Sequence, residues 1–135
     1  GRSNIVGKPL ALLLLQADAT VTVCHTRTKP EDLKEACEAA DIVVLATGQI
    51  ESYGPEFFHE GQIIVDAGAG TGSDGKMAGD LNAKALTECE WSENVAYTPV
   101  PGGVGTVTTT LLLRNVMKAA KHFQKRENIK NLNIK

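Results

Sequence analysis

Asp41-Ile42-Val43-Val44-Leu45-Ala46-Thr47-Gly48 is the stretch that decides the fold. Its apolar residues run without alternation and end on a small, glycine-bearing turn. A strand with one wet face alternates; a continuous run belongs to a strand covered on both faces, as in a parallel sheet. Gln62-Ile63-Ile64-Val65-Asp66, followed by Ala67-Gly68-Ala69-Gly70, has the same pattern. Val21, Val23 and Cys24 form a shorter β-branched run after the Asp18-Ala19 turn, and Val95-Ala96-Tyr97 a weaker fourth.

Helical patterns lie between these runs. Pro9 to Ala17 places Leu10, Leu13, Leu14 and Ala17 on one stripe, with Pro9 in the first turn, where its missing N–H costs nothing. Glu31 to Ala40 does the same with Leu33, Ala36, Cys37 and Ala40, and Glu31 and Asp32 suit its N-terminal turn. The longest helix is expected from Thr106 to about Lys125, with Leu112, Val116, Ala119, Ala120 and Phe123 in register and Thr106 or Thr108 as cap. Asp74-Gly75 predicts the turn of a small hairpin between Gly70 and Gly79. Strands alternating with helices predict an α/β, Rossmann-like, doubly wound fold with a mostly parallel sheet. Residues 1–125 form the expected domain, and 126–135 a polar, frayed tail or linker.

Composition narrows the function. The chain has 135 residues, the size of one domain, and a formal charge of −2 from 14 Lys+Arg against 16 Asp+Glu. That balance, with only three Phe, two Tyr and one Trp, supplies neither a basic face nor a stacking platform for nucleic acid. Leu10 to Leu15 is the longest apolar run, far short of a membrane span. Cys24, Cys37 and Cys89 are odd in number and lack metal-ligand spacing, so buried thiols in a reducing, cytoplasmic setting are expected, without a metal.

The 13 glycines are the one excess, and they mark sites. Gly1-Arg2-Ser3-Asn4-Ile5-Val6-Gly7-Lys8-Pro9 leads straight into a helix. In a nucleotide-binding unit such a turn presents backbone N–H groups and a helix N-terminus to a pyrophosphate. The strand that should precede it is missing from the sequence, so the expectation is a domain cut at the first turn of its nucleotide fold. About 20 positions on, NAD sites carry an acid; here Cys24-His25-Thr26-Arg27-Thr28-Lys29 offers hydroxyls and cations, with no acid until Glu31. This favours NADP over NAD, with Arg27 or Arg2 as charge for a 2′-phosphate and His25 along the adenosine side. Thr47 and Gly48, then Gly68 and Ala69, stand at two further strand ends, where ligands bind open α/β sheets. Thr98-Pro99-Val100-Pro101-Gly102-Gly103-Val104-Gly105 stiffens and then bends the chain before the long helix, a second place for a planar or anionic ligand.

Taken together, GRSNIVGKP, DIVVLATG, GQIIVDAG with a following GDL, and TPVPGGVG resemble the NAD(P)-binding half of bifunctional methylenetetrahydrofolate dehydrogenase/methenyltetrahydrofolate cyclohydrolase. The resemblance covers Gly1 to Phe123. It implies a cleft against an N-terminal catalytic domain, a homodimer, NADP-dependent oxidation of 5,10-methylenetetrahydrofolate, and hydrolysis of the methenyl product to 10-formyltetrahydrofolate. It places Gly1, Arg2 and Ser3 on cofactor phosphate and ribose, Thr26 near the 2′-phosphate and Ala69 on the nicotinamide side. Pro101, Gly102, Gly103, Val104 and Gly105 would line the folate site, with Pro99 beside them. The family's catalytic tyrosine-lysine motif and folate-binding aspartate belong to the other half, so no catalytic residue is assigned in this chain. Departures from the family are Thr106-Val107 after the glycines, Ala67 and Ala69 in the strand-end segment, and Ile50 in place of a proline. They motivate an alternative, a non-catalytic nucleotide-binding or interaction module. A shikimate dehydrogenase-like enzyme is a third reading, against which TPVPGGVG argues.

Overall fold

A computed structural model describes the backbone of residues 1–132 and the side chains of 1–126. Two compact units emerge, Gly1–Val104 and the remainder from Gly105. In the first, the two continuous apolar runs become β1 (Ile42–Leu45) and β2 (Ile63–Asp66). They pair in parallel, Ile42 opposite Ile63 through Leu45 opposite Asp66. A short strand at Ala96–Tyr97 extends the sheet on the other side of β2, also in parallel. The core gathers Val43, Leu45 and Ile64 from the sheet with Cys37, Tyr53, Phe58, Leu81 and Leu86 from its surroundings.

Helix α1 spans Gly7–Gln16, starting two residues before the expected Pro9. It stops where Asp18 takes φ 60°, the left-handed conformation that a short polar side chain tolerates. Only part of the expected stripe faces inward: Leu10 and Leu14 are half-buried, whereas Leu13 and Ala17 are exposed. The leucine run surrounds this helix, so a period picks out several faces and packing chooses one. Helix α2 spans Pro30–Glu38 with Pro30 at its first position and Glu31 and Asp32 in its first turn, as expected. Its last carbonyls are closed by a buried side chain from β2's entry: Gln62 Nε2 donates to Cys37 O and Ala40 O, both at 2.7 Å. Gln62 Oε1 accepts from His59 N at 3.0 Å.

The predicted hairpin forms from β3 (Gly70–Thr71) and β4 (Met77–Ala78), antiparallel, closed by Asp74-Gly75 with Gly75 at φ 80°. Helix α3 spans Ala83–Thr87 and precedes the Ala96–Tyr97 strand, hereafter β5. Val21 to Cys24, expected as a strand, has no ladder partner among the described residues and remains irregular. A β-branched run becomes a strand only when a neighbour completes its hydrogen bonds.

The second unit, from Gly105, is formed by helix α4, which spans Val104–Leu132. This helix begins two residues before the expected Thr106. Thr108 is therefore no cap: its Oγ1 donates back to Gly105 O at 2.9 Å, inside the first turns. The helix also runs past Lys125, where a frayed tail was expected, to Leu132; residues 133–135 lie outside the described residues. The chain continues there as Arg126, Glu127, Asn128, Ile129, Lys130, Asn131 and Leu132, of which Arg, Glu, Lys and Leu are good helix formers.

Candidate functional site at the carboxyl ends of the strands

The opening turn is closed by its own serine. Ser3 Oγ accepts from Val6 N at 3.0 Å and Gly7 N at 3.4 Å, and Ser3 O accepts from Lys8 N at 3.0 Å. The first donors of α1, expected to meet a pyrophosphate, are thus occupied within the turn. What faces outward is the positive end of the helix dipole and the exposed Arg2. A Cβ at Gly7 would collide with the carbonyl of Gly1, and one at Gly1 with the carbonyl of Ala46 at the end of β1. These two glycines press the turn against the strand end, the close approach that a dinucleotide site requires. Val6 is half-buried behind the turn, and Pro9 is exposed in the first turn of α1.

The segment after Cys24 is also self-contained. His25 N donates to Thr28 Oγ1 at 2.9 Å, Thr28 N to His25 O at 2.8 Å, and Arg27 N to His25 Nδ1 at 3.1 Å. Accepting from Arg27 leaves the His25 ring with its proton on Nε2. Thr26 and Arg27 project from this loop, exposed. Beside it opens a cleft of about 380 Å³ lined by Cys24, His25, Thr26, Thr28, Pro30, Leu33, Lys34, Gln49, Tyr53 and Phe57. Among the described residues, no carboxylate lines it. Lys34, Gln49, Tyr53 and Phe57 were not anticipated; they converge from α2 and from the loop after β1, which no local spacing foretells.

The turns after β1 and β2 are held differently, by two buried carboxylates. Asp80 is 0% exposed. Its Oδ2 accepts from Thr47 N at 2.6 Å, Thr47 Oγ1 at 2.9 Å and Gly48 N at 3.0 Å. Its Oδ1 is buried without a hydrogen-bond partner and faces Gly68, where a Cβ would collide with it. Asp66 is 2% exposed; its Oδ1 accepts from Gly68 N at 2.8 Å and Asp80 N at 3.2 Å, and its Oδ2 from Leu81 N at 2.9 Å. Gly48, at φ 72°, is exposed with open space above it, and Ala69 is exposed next to the buried Gly68. Sequence reasoning passed over both carboxylates. An acid closing an apolar strand run, and another between Gly79 and Leu81, are the signals that point to them, because a buried acid must find donors.

The proline-glycine segment joins the same edge through Thr98. Its N donates to Ile64 O at 3.0 Å, and its Oγ1 accepts from Asp66 N at 2.8 Å. The Val100-Pro101 peptide is cis, Gly102 takes φ 112°, and Gly103 N donates to Pro99 O at 2.7 Å. A Cβ at Gly103 would lie 2.5 Å from Pro99 O. A depression of about 190 Å³ lies against Asp66, Lys76, Tyr97, Thr98, Pro99 and Val100. Val104 and Gly105 open α4. The three cysteines are free thiols, and burial pushes Cys37 up to about 11.

Strand-end turns that expose glycine, a helix N-terminus pressed against the sheet, and a cleft one turn away make an edge on which an extended, anionic, two-ring ligand fits. Known proteins are similar to nearly the whole of this chain. Residues 1–124 match the family model described as the tetrahydrofolate dehydrogenase/cyclohydrolase NAD(P)-binding domain. The "Bifunctional protein FolD" of Clostridium botulinum is 47% identical over 125 residues, which are 92% of this chain and 42% of that protein. Its Clostridium perfringens namesake is 49% identical over 118 residues, 87% and 40% of the two chains. The chain thus spans about two fifths of the curated relatives it matches. Among solved structures, the bifunctional FolD methylenetetrahydrofolate dehydrogenase/cyclohydrolase of Campylobacter jejuni superposes with a TM-score of 0.78 at 42% identity, over 90% of this chain and 41% of that one. The Trypanosoma brucei enzyme, solved with NADP cofactor and inhibitor, gives 0.75 at 37% identity, over 90% and 42%. The glycine turns, the parallel sheet and these likenesses agree, and the chain belongs to the tetrahydrofolate dehydrogenase/cyclohydrolase family, as its NAD(P)-binding domain.

Proposed function

We propose that residues 1–125 hold NADP for a protein that oxidises 5,10-methylenetetrahydrofolate and hydrolyses the methenyl product to 10-formyltetrahydrofolate. The observation that carries the choice of NADP over NAD is the cleft beside His25 to Thr28. Its lining among the described residues includes Thr26 and Lys34 and no carboxylate, and Arg27 is exposed between Thr26 and Thr28. A ribose 2′-phosphate gains from those cations and hydroxyls, whereas a carboxylate that would select the 2′-hydroxyl of NAD is missing from the lining. The Trypanosoma brucei relative, solved with NADP, supports the same choice.

When bound, the nicotinamide supplies the hydride acceptor. The work of this chain is binding and orientation. Arg2 and the α1 terminus offset phosphate charge, and Gly1 and Gly7 permit close approach. Thr26, Arg27, Thr28 and His25 hold the adenosine side, Thr47 and Gly48 the middle, and Gly68 and Ala69 the far turn. Pro99, Pro101, Gly102, Gly103, Val104 and Gly105 are proposed for the tetrahydrofolate-type substrate, shared with the part of the relatives that this chain does not match. The assembly is proposed to be a cytoplasmic homodimer; exposed Ile5, Leu12, Leu13 and Leu15 and three free thiols support that reading. No helix among the described residues is long and apolar enough to cross a membrane.

The test is a titration of the intact protein with NADP and NAD. Arg27→Ala should weaken NADP about 10-fold, the size of one lost charge-assisted contact, and NAD less than about 2-fold. Equal losses would remove Arg27 from the 2′-phosphate, and tighter binding of NAD than NADP by the unaltered protein would reverse the cofactor choice.

A further inference from the structure

We infer that Asp80 is a positioning residue, which locks the turns after β1 and β2 into one floor beneath the phosphate and nicotinamide half of the cofactor. The inference rests on the NADP reading above. At 0% exposure Asp80 touches no ligand, so its effect must pass through others. One carboxylate oxygen gathers three donors from Thr47 and Gly48. The other meets Gly68 so closely that no side chain fits there. Its backbone N donates to Asp66 Oδ1, which also accepts from Gly68 N. Its carbonyl accepts from Ser52 N at 3.0 Å and Tyr53 N at 3.2 Å. One residue therefore fixes the β1 turn through its side chain and the β2 turn through packing and through Asp66.

The unpartnered Oδ1 is informative. A carboxylate held only for stability has every reason to rotate toward a further donor. Here the three donors of the β1 turn hold the group in place and leave Oδ1 against Gly68. That geometry sets the spacing between the two turns. The loop His25 to Thr28 is closed by its own hydrogen bonds and does not draw on Asp80. A ligand confined to that cleft meets the Asp80-held segment only through Gln49 and Tyr53, and should depend on Asp80 less than a ligand that reaches across both turns.

The experiment compares NADP with 2′,5′-ADP, the adenosine half alone, on the intact protein. Asp80→Ala and Thr47→Val are titrated with both, and thermal melts are recorded alongside. Asp80→Ala should weaken NADP about 10-fold or more, with 2′,5′-ADP changed less than about 3-fold. Asp80→Asn keeps an oxygen for the three donors and should recover most of the loss. Thr47→Val removes one of the three bonds, together with the acceptor of Gln49 N, without touching the core, and should weaken NADP about 3-fold and 2′,5′-ADP less. If Asp80→Ala does not fold, the Thr47→Val titration decides. Equal weakening of both ligands makes the role merely structural and overturns the inference, as does unchanged NADP binding in Asp80→Ala or in Thr47→Val. Failure of the unaltered protein to bind either ligand overturns the NADP reading instead, and the inference with it.

Discussion

The two halves of the candidate site are built on opposite plans. The turns at Gly1 to Lys8 and at His25 to Thr28 close on themselves: Ser3 serves its own turn, and Thr28 and His25 serve theirs, all within five residues. The turns after β1 and β2 draw on distant residues: Thr47 N and Gly48 N donate to Asp80, 33 and 32 positions away, and Asp66, which holds Gly68 N, accepts from Asp80 N and Leu81 N and donates to Thr98. Local closure costs little loop entropy and can form early; the distant clamp exists only once the sheet is assembled. The binding edge is thus rigid where the core supports it and autonomous where solvent surrounds it.

The strongest way to break this contrast is Asp66→Ala. It strands Gly68 N, Asp80 N and Leu81 N without their acceptor, and should cost about 3–5 kcal/mol in denaturant unfolding. Gln62→Leu, which keeps the volume but leaves the end of α2 uncapped, should cost about 2–3 kcal/mol by the same measurement. Gly68→Ala forces a methyl against Asp80 and should cost about 1–3 kcal/mol. On the self-closed side Ser3→Ala should lose only about 1 kcal/mol, because water replaces the hydroxyl at an exposed turn. A cost for Ser3→Ala as large as that for Asp66→Ala would erase the distinction between the two plans.

The smallest effect is chemical. Burial holds the Cys37 thiol protonated, lifted from its ordinary 9.0 to about 11, so a thiol reagent at pH 8 should label Cys24 and Cys89 well before Cys37. The sign for stability follows. Between pH 9.0 and about 11 the unfolded thiol has lost a proton that the folded one keeps, so unfolding releases a proton and stability falls across that window. Cys37→Ala should flatten the decline.

Much of this architecture was legible in residue order. Ile42 to Leu45 and Ile63 to Asp66 carry their own evidence for a doubly covered strand, and Asp74-Gly75 for its hairpin. Pro30 with Glu31 and Asp32 announces α2. Val21 to Cys24 misled, because strand propensity is not strand pairing. The leucines of α1 misled in detail, because an all-round apolar helix has no single period to read. Thr108 looked like a cap, yet it donates to Gly105 O within α4.

Residue order determined what depends on neighbours within a turn or two: glycine turns, helix starts, continuous apolar strands, and the absence of an acid from Cys24 to Pro30. Those are short-range matters of sterics, capping and burial, and each is written in a few adjacent side chains. The tertiary structure alone decided which distant groups meet. Asp80 reaches Thr47, Gln62 reaches Cys37 O, and Lys34, Gln49 and Tyr53 share one cleft. A buried carboxylate or amide must find donors or acceptors wherever the assembled sheet presents them, and sequence separation says nothing about where that will be.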